Sequence, residues 1–318
     1  MDRFLWVSRR QAGTEKQTLH LSESLPEQLH NLIAAGQQRR RQGYRGRFAP
    51  TPSGPLHLGN LRTALLSWLD ARICNGVWLL RIDDLDTPRL QSGAIDACLA
   101  DLRWLGLSWD GPVILQSQHR GWYHSLLSHW RRCDRLYACR CSRRELNQHS
   151  LYPGHCRDCE MGWGWKNRRL PAWRLRVPKN FAHRCGDLVV RRSDGFIAYH
   201  LATALDEMIL GITDVVRGSD LAPVKIAQEA VIAAMGLESP PRYRHVPLLC
   251  DREGLKLSKR NGSQGLPPWQ NRPVSAAATV GRLAASLDLV PPGSQISTPE
   301  LLEHVRVRPT LLKSHLQP

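Results

Sequence analysis

Two short patterns in this chain are suited to handling a triphosphate. The first is His57-Leu58-Gly59-Asn60, where a Pro/Ser/Gly loop meets the start of a helical pattern. A helix start offers unpaired N–H groups and the positive end of the dipole, so it suits phosphate. Gly59 lets a nucleotide come close to the backbone, and the His57 imidazole can donate a hydrogen bond to a phosphoryl oxygen as charge shifts. The second is Lys256-Leu257-Ser258-Lys259-Arg260, bordered by Gly254, Asn261 and Gly262. Two ammonium groups on a glycine-bordered loop can close over a triphosphate and stabilise charge on departing pyrophosphate. Singly, the first reads more often as a satisfied structural histidine and the second as a solvated basic loop; the pairing changes those odds.

Two further groups carry chemistry. Arg47 and Asp83 fall at the ends of two predicted strands, where ligands of open α/β sheets bind. An arginine fork suits a carboxylate and an aspartate suits an ammonium. Downstream, Cys139-x-Cys141, Cys156 and Cys159 gather four of the nine cysteines within 139–159. A structural zinc takes four thiolate or imidazole ligands in a tetrahedron, and chemistry alone selects these four, with His149 or His155 as substitutes. Such clustering favours a metal site in a reducing compartment over disulfides.

The elements that must position these residues are legible as a βαβ unit. Arg45–Ala49 reads as a strand, PTPSG as a loop, and Leu58, Leu61, Leu65, Leu69 and Ile73 as an amphipathic helix ending at Asn75-Gly76. Val77–Ile82 is the second strand, which predicts a parallel sheet with a right-handed crossover. Further helices fit Ile95–Leu105 and Trp122–Trp130, and residues 172–177 alternate like a strand. LVVRR, Ser193-Asp194-Gly195 and FIAYHLA read as a hairpin, with Tyr199 packing on its second strand. Leu221–Met235 reads as helix and His245–Cys250 as strand. The expected organisation is an extension at 1–43 that is poorly ordered apart from one short helix near Leu25–Ala35, a Rossmann-like half at 44–138, a knuckle insertion at 139–190, the second half at 191–263, and a short helical region at 264–318.

The chain has 318 residues, 42% hydrophobic and 23% charged, with a formal net charge of +16. That composition is globular, and the excess of Lys and Arg points to a polyanionic partner. No apolar stretch is long enough to span a membrane and no secretory signal opens the chain, so a cytoplasmic, membrane-free protein is expected.

The string GRFAPTPSGPLHLGN, followed by RIDDLD at 81–86, VRGSDL at 216–221 and KLSKR at 256–260, resembles the glutamyl/glutaminyl branch of the class I aminoacyl-tRNA synthetases over residues 44–263. The resemblance implies a Rossmann-like α/β core that activates glutamate with ATP, Mg²⁺ accompanying the nucleotide. It places His57 and Lys259 in catalysis and ATP on Pro50, His57, Gly59, Asn60, Lys256, Ser258 and Lys259. Glutamate falls to Arg47, Phe48, Ala49, Pro50, Thr51, Asp83, Tyr199 and Arg217. Asp83 departs from the glutamate usual there, and its shorter reach implies a longer or water-bridged ammonium contact. The pattern C-x-C…Y-x3-C also resembles the zinc knuckle of the glutamyl-queuosine tRNA(Asp) synthetase family. On that resemblance one Zn²⁺ is held by Cys139, Cys141, Tyr152 and Cys156, in place of Cys159. Only 58 residues follow KLSKR, which leaves little room for a helical anticodon-binding part. The implied reaction is therefore glutamyl transfer to queuosine in tRNA(Asp) by a monomer, with charging of a tRNA 3′ end, or an inactive tRNA-binding homologue, as alternatives.

Overall fold

The computed structural model of the protein describes residues 25–249 and 274–313. Its centre is the βαβ unit. Strand β1 (Arg45–Phe48) and strand β2 (Val77–Ile82) pair in parallel, Arg45 opposite Val77 and Phe48 opposite Leu80. Helix α2 (Leu58–Ile73) crosses between them. Parallel strands are covered on both faces, which is why VWLLRI is a nearly continuous apolar run rather than an alternating one. The crossover ends where Asn75 turns to a φ of 48° and Gly76 follows. A Cβ on Gly76 would lie 2.6 Å from the Tyr44 carbonyl oxygen, so only glycine allows the chain to re-enter the sheet so closely.

Helix α1 (Glu27–Arg41) precedes this unit. Helix α3 (Ala94–Trp104), strand β3 (Ile114–Leu115) and helix α4 (Arg120–Arg132) follow it. β3 extends the parallel sheet beyond β2. Strand β4 (Leu136–Cys139), helix α5 (Arg143–Leu146), strand β5 (Ala172–Leu175), helix α6 (Lys179–Cys185) and strand β6 (Leu188–Arg191) make a separate unit whose three strands run antiparallel. Helix α7 (Tyr199–Leu210) returns the chain to strand β7 (Asp214–Gly218), helix α8 (Lys225–Ala234) and strand β8 (Arg242–Val246). β7 and β8 pair in parallel, and the Thr213 N–H donates to the Arg45 carbonyl at 2.9 Å, setting β7 beside β1. Helices α9 (Ala276–Ala285), α10 (Thr298–Val307) and α11 (Thr310–Lys313) close the chain. Val280, Leu283, Leu301 and Val305 from them pack into the core around α2.

Three expectations change. Residues 27–41 of the extension are a helix longer than the short one expected, and not a poorly ordered arm. Leu29 and Ile33, four apart, are buried in the second core with Leu201, Leu205 and Met208. Arg39 donates to the Ile209 carbonyl at 3.0 Å at the end of α7. FIAYHLA is not a second hairpin strand. A single bridge joins Arg191 to Ile197, and the chain then turns into α7, because Leu201, Leu205 and Met208 recur at helical spacing and all are buried. The last parallel strand begins earlier than read, at Arg242, and Cys250 lies outside the described residues. Among the described residues, no helix is long and apolar enough to cross a membrane.

Candidate functional site

The carboxyl ends of β1, β2 and β7 deliver three arginines into one polar locality. Arg47, only 3% exposed, directs Nε to Glu207 Oε1 at 3.2 Å and Nη1 to the Val216 carbonyl at 3.3 Å. Glu207 lies in the middle of α7, fully buried, and accepts from the Tyr243 hydroxyl at 3.1 Å. Arg81 is completely buried and grips Asp83 with two bonds, Nε to Oδ1 at 2.7 Å and Nη2 to Oδ2 at 3.2 Å. Its Nη1 lies 3.6 Å from Asp206 Oδ2. Asp206 in turn accepts from the Tyr123 hydroxyl at 2.7 Å and Gln116 Nε2 at 2.9 Å, and pairs with His119 Nδ1 at 2.9 Å. Burial pushes the Asp83 carboxyl above the usual carboxylate range, and the Arg81 guanidinium pulls against it. Asp83 therefore meets the site with both oxygens already tied to Arg81, while its N–H donates to the Pro50 carbonyl at 2.9 Å and joins the two strand ends.

Arg217 is held differently. Its Nη1 donates to Gln228 Oε1 at 2.7 Å and its Nε to His245 Nε2 at 3.2 Å, and its guanidinium lies 4.6 Å above the Tyr243 ring. Gln228 Nε2 donates to Thr203 Oγ1 at 2.5 Å, and Thr203 donates to the Tyr199 carbonyl at 2.8 Å. One chain of bonds thus fixes Arg217 and the first turn of α7 together. Arg217 Nη2 is buried with no hydrogen-bond partner among the described residues. A buried donor left unpaired costs about 1–3 kcal/mol, more when charged, so this N–H is poised for an anionic ligand. Burial lowers the pKa of Arg217, though an arginine remains charged, and burial with the neighbouring arginine charge likewise lowers that of His245. His245 stays neutral and can accept from Arg217.

Tyr199 stands at the start of α7 with 38% of its surface open. Crowding around its hydroxyl raises its pKa, the Asp83 charge adds to that, and Arg47 and Arg217 oppose it, so the phenol shares one field with all three. Phe48 points elsewhere: its ring stacks on Trp78, centroids 6.2 Å apart, inside the core. Pro50 is buried, and Ala49 and Thr51 are half-buried in the loop beyond β1. Sequence reasoning missed Arg81, Glu207, Asp206, Gln228 and His245. The signal was there for two of them: Asp206-Glu207 interrupts the apolar run LATALDEMIL, where a buried charge demands a partner.

At the other strand–helix junction His57 is the N-cap of α2. Its Nδ1 accepts from the Asn60 N–H at 3.2 Å, and Asn60 Oδ1 accepts from the His57 N–H at 3.4 Å. An acceptor Nδ1 puts the neutral ring's proton on Nε2, which becomes the donor face. Gly59 makes room for this ring, since a Cβ there would lie 3.0 Å from two of its atoms. Lys256, Ser258 and Lys259 lie outside the described residues.

The knuckle forms a second candidate centre. The thiols of Cys139, Cys141 and Cys156 all lie within 4.8 Å of one another, Cys141 and Cys156 at 3.5 Å. The Tyr152 hydroxyl sits 3.6 Å from Cys139 Sγ and 3.9 Å from Cys141 Sγ, and accepts from the Cys156 N–H at 2.8 Å. Cys159 is exposed, its thiol turned to the His155 carbonyl at 3.3 Å, and neither it nor His149 or His155 joins the three grouped thiols. Arg174 lies 3.6 Å over the Tyr152 ring. Burial alone would raise the Cys139 thiol, but Arg174 and the Tyr152 hydroxyl outweigh it and hold the thiol below its usual range. Burial and the bond to Cys156 push Cys141 up to about 12. Four sulfur or oxygen atoms at such separations match the edges of a small tetrahedral site with metal–sulfur distances of about 2.3 Å.

The family described as tRNA synthetases class I (E and Q), catalytic domain, matches residues 44–153 and 175–272. Glutamyl-Q tRNA(Asp) synthetase of Prochlorococcus marinus (strain MIT 9313) is 55% identical over 304 residues, 93% of this chain and 99% of that protein. The Synechococcus sp. (strain CC9605) protein of the same name is 59% identical over 283 residues, 89% of this chain and 96% of that one. Among solved structures, glutamate-tRNA synthetase from Elizabethkingia anophelis superposes with a TM-score of 0.64 at 25% identity, covering 82% of this chain and 65% of that one. The chain thus spans about two thirds of that structure and nearly the whole of the two relatives.

Proposed function

The chain belongs to the class I tRNA synthetase family that serves glutamate and glutamine, and from that premise we propose that it activates glutamate with ATP and passes the glutamyl group to queuosine in tRNA(Asp). The observation that carries the substrate reading is the orphaned Nη2 of buried Arg217 beside Arg47 and Asp83. An acidic amino acid brings two carboxylates and one ammonium. Arg217 offers an unpaired donor to the side-chain carboxylate, Arg47 and the loop after β1 meet the other end, and Asp83 and the Tyr199 phenol meet the ammonium. Arg81 fixes both Asp83 oxygens, which positions the shorter aspartate rigidly and leaves the ammonium contact to lone pairs not engaged by the guanidinium.

In the first step the α-carboxylate oxygen attacks the α-phosphorus of ATP. The new C–O–P linkage forms as the bond to the bridging oxygen of pyrophosphate breaks in line. His57 Nε2–H donates to the phosphoryl oxygen on which charge accumulates, and Lys256 and Lys259 neutralise the departing pyrophosphate. Pro50, Gly59, Asn60 and Ser258 complete the nucleotide site. Mg²⁺ would accompany the phosphates of the nucleotide. In the second step a hydroxyl of the acceptor attacks the acyl carbon and AMP leaves, giving an ester. The relatives named glutamyl-Q tRNA(Asp) synthetase support queuosine as the acceptor.

Cys139, Cys141, Cys156 and the Tyr152 hydroxyl fit one Zn²⁺, which would tie the knuckle together rather than take part in the reaction. ATP–pyrophosphate exchange tests the activation half. Exchange that requires glutamate, and that glutamine and aspartate do not support, is the expected result; exchange with none of the three, with or without tRNA, defeats the proposal.

A further inference from the structure

Residues 162–169, Gly-Trp-Gly-Trp-Lys-Asn-Arg-Arg, form a finger on the knuckle that the activation chemistry does not use. Its tip is a tight turn: Asn167 and Arg168 take φ of 51° and 57°, and Lys166 and Arg169 exchange two backbone hydrogen bonds of 3.1 Å. Arg140 clamps the base of the finger, donating to the carbonyls of Gly162, Gly164 and Arg169 at 3.0, 2.6 and 3.1 Å. Arg140 stands between Cys139 and Cys141, so the thiol cluster anchors the clamp. The finger is therefore a built feature, and it holds Trp165 72% exposed beside the exposed Lys166, Arg168 and Arg169.

The surroundings share one chemistry. Trp163 packs edge-on against Trp173, centroids 5.1 Å apart, and Arg131 lies 4.3 Å over Trp163 and 5.6 Å over Trp173. Arg191 covers Trp173 at 5.0 Å. The next residue, Arg192, reaches Asp86 at 3.6 Å, three positions after Asp83. A ladder of arginine and tryptophan thus leads from the finger to the loop that follows β2. Within residues 162–192 there are nine Lys or Arg and a single acid, Asp187.

We propose that the finger at 162–169 docks single-stranded RNA, with Trp165 stacking on an unpaired base and Lys166, Arg168 and Arg169 neutralising its flanking phosphates. Exposed aromatics set in a cationic track bind single strands in this way, because every base has a π-face and every linkage a charge. A phosphate-only surface needs no exposed tryptophan, and an apolar protein partner does not favour three adjacent cations. The proposal rests on the RNA-acceptor reading above.

The test uses the full chain and two synthetic probes of matched length, an RNA hairpin with an unpaired loop and a fully paired RNA duplex. Trp165→Ala weakens hairpin binding about 10-fold and duplex binding less than about twofold, and Trp165→Phe restores most of the loss. The combined variant Lys166→Ala, Arg168→Ala, Arg169→Ala weakens both and flattens the salt dependence of each. Unchanged thiol and metal content and an unchanged circular-dichroism spectrum show that the variants are folded. Wild-type hairpin affinity in Trp165→Ala, or an equal loss on hairpin and duplex, overturns the finger. A second assay separates the two readings. Glutamylation of native tRNA with an unchanged tRNA KM in Trp165→Ala rejects the finger and leaves the proposed function standing. Wild-type protein that never glutamylates tRNA, yet binds the hairpin through Trp165, rejects the function and leaves the finger.

Discussion

The cleft at the ends of β1, β2 and β7 sets its paired charges among extensive apolar packing, whereas the knuckle buries its thiols in a cluster of only a few residues. Arg47, Arg81, Asp206, Glu207 and Arg217 are each at most 4% exposed and sit between two extensive apolar clusters. The knuckle's own apolar cluster consists of Tyr137, Cys139 and Cys156, with Cys141, Tyr152 and Met161 beside it. A cluster that small contributes little order of its own, so a metal held by the thiols would add most there. In the cleft the same order comes from ion pairs whose loss would leave charges stranded in the core. The two regions are ordered by different means, and they should break in different ways.

The largest break is expected at Arg81. Arg81→Leu strands Asp83 and Asp206 and should cost about 3–5 kcal/mol of global stability, read from denaturant unfolding. A loss below about 1 kcal/mol would mean that the network is not structural. Next is His57→Ala, which removes the donor proposed for the reacting phosphate. Glutamate-dependent exchange should fall by roughly two orders of magnitude, while the lost cap costs stability only about 1 kcal/mol. Wild-type exchange in this variant would remove His57 from the chemistry. Third, Cys141→Ser should abolish the proposed zinc binding and open residues 139–170 to protease, yet leave the exchange rate within about threefold, because the cleft does not lean on the knuckle. Loss of exchange together with the metal would erase the distinction between the two regions.

A pH-dependent effect lies at the seam between them. His200 on α7 bonds to the backbone of Val189 on β6, and burial lowers its pKa to about 4 from an ordinary value near 6.5. Below the ordinary value the unfolded chain takes up a proton that the folded chain refuses. Stability should therefore fall as pH drops from about 6.5 to about 4, and be level above that range. His200→Asn should flatten this slope in denaturant titrations at several pH values; an unchanged slope would assign it to other groups.

Much of this was readable in the sequence, for physical reasons. The βαβ unit announces itself because VWLLRI is apolar throughout and α2 repeats leucine at helical spacing. The first turn of α7 was misread because Phe196, Ile197 and Tyr199 have strand-like side chains, although the burial of Leu201, Leu205 and Met208 decides for helix. Helix α1 was legible only as a short helix near Leu25–Ala35, because glutamine and arginine fill its second half and only Leu29, Ile33 and Gly36 are buried. Gln228 carries no signal of a buried charge, and nothing local says which distant arginine it or Glu207 meets. At the knuckle, spacing alone favoured Cys159 as the fourth ligand. The family resemblance names Tyr152 instead, and the path of residues 142–156 turns the Tyr152 hydroxyl toward Cys139 and Cys141 and leaves Cys159 at the surface.

The central claim is glutamyl transfer to queuosine, and one measurement meets it directly. The protein is incubated with ATP, labelled glutamate and tRNA from cells that make queuosine or lack it, and the labelled nucleotide is mapped by nuclease digestion. Label confined to queuosine-containing tRNA(Asp), on an anticodon-loop fragment, is the predicted result. Label on the 3′-terminal adenosine, or equal labelling of both tRNA pools, would contradict it.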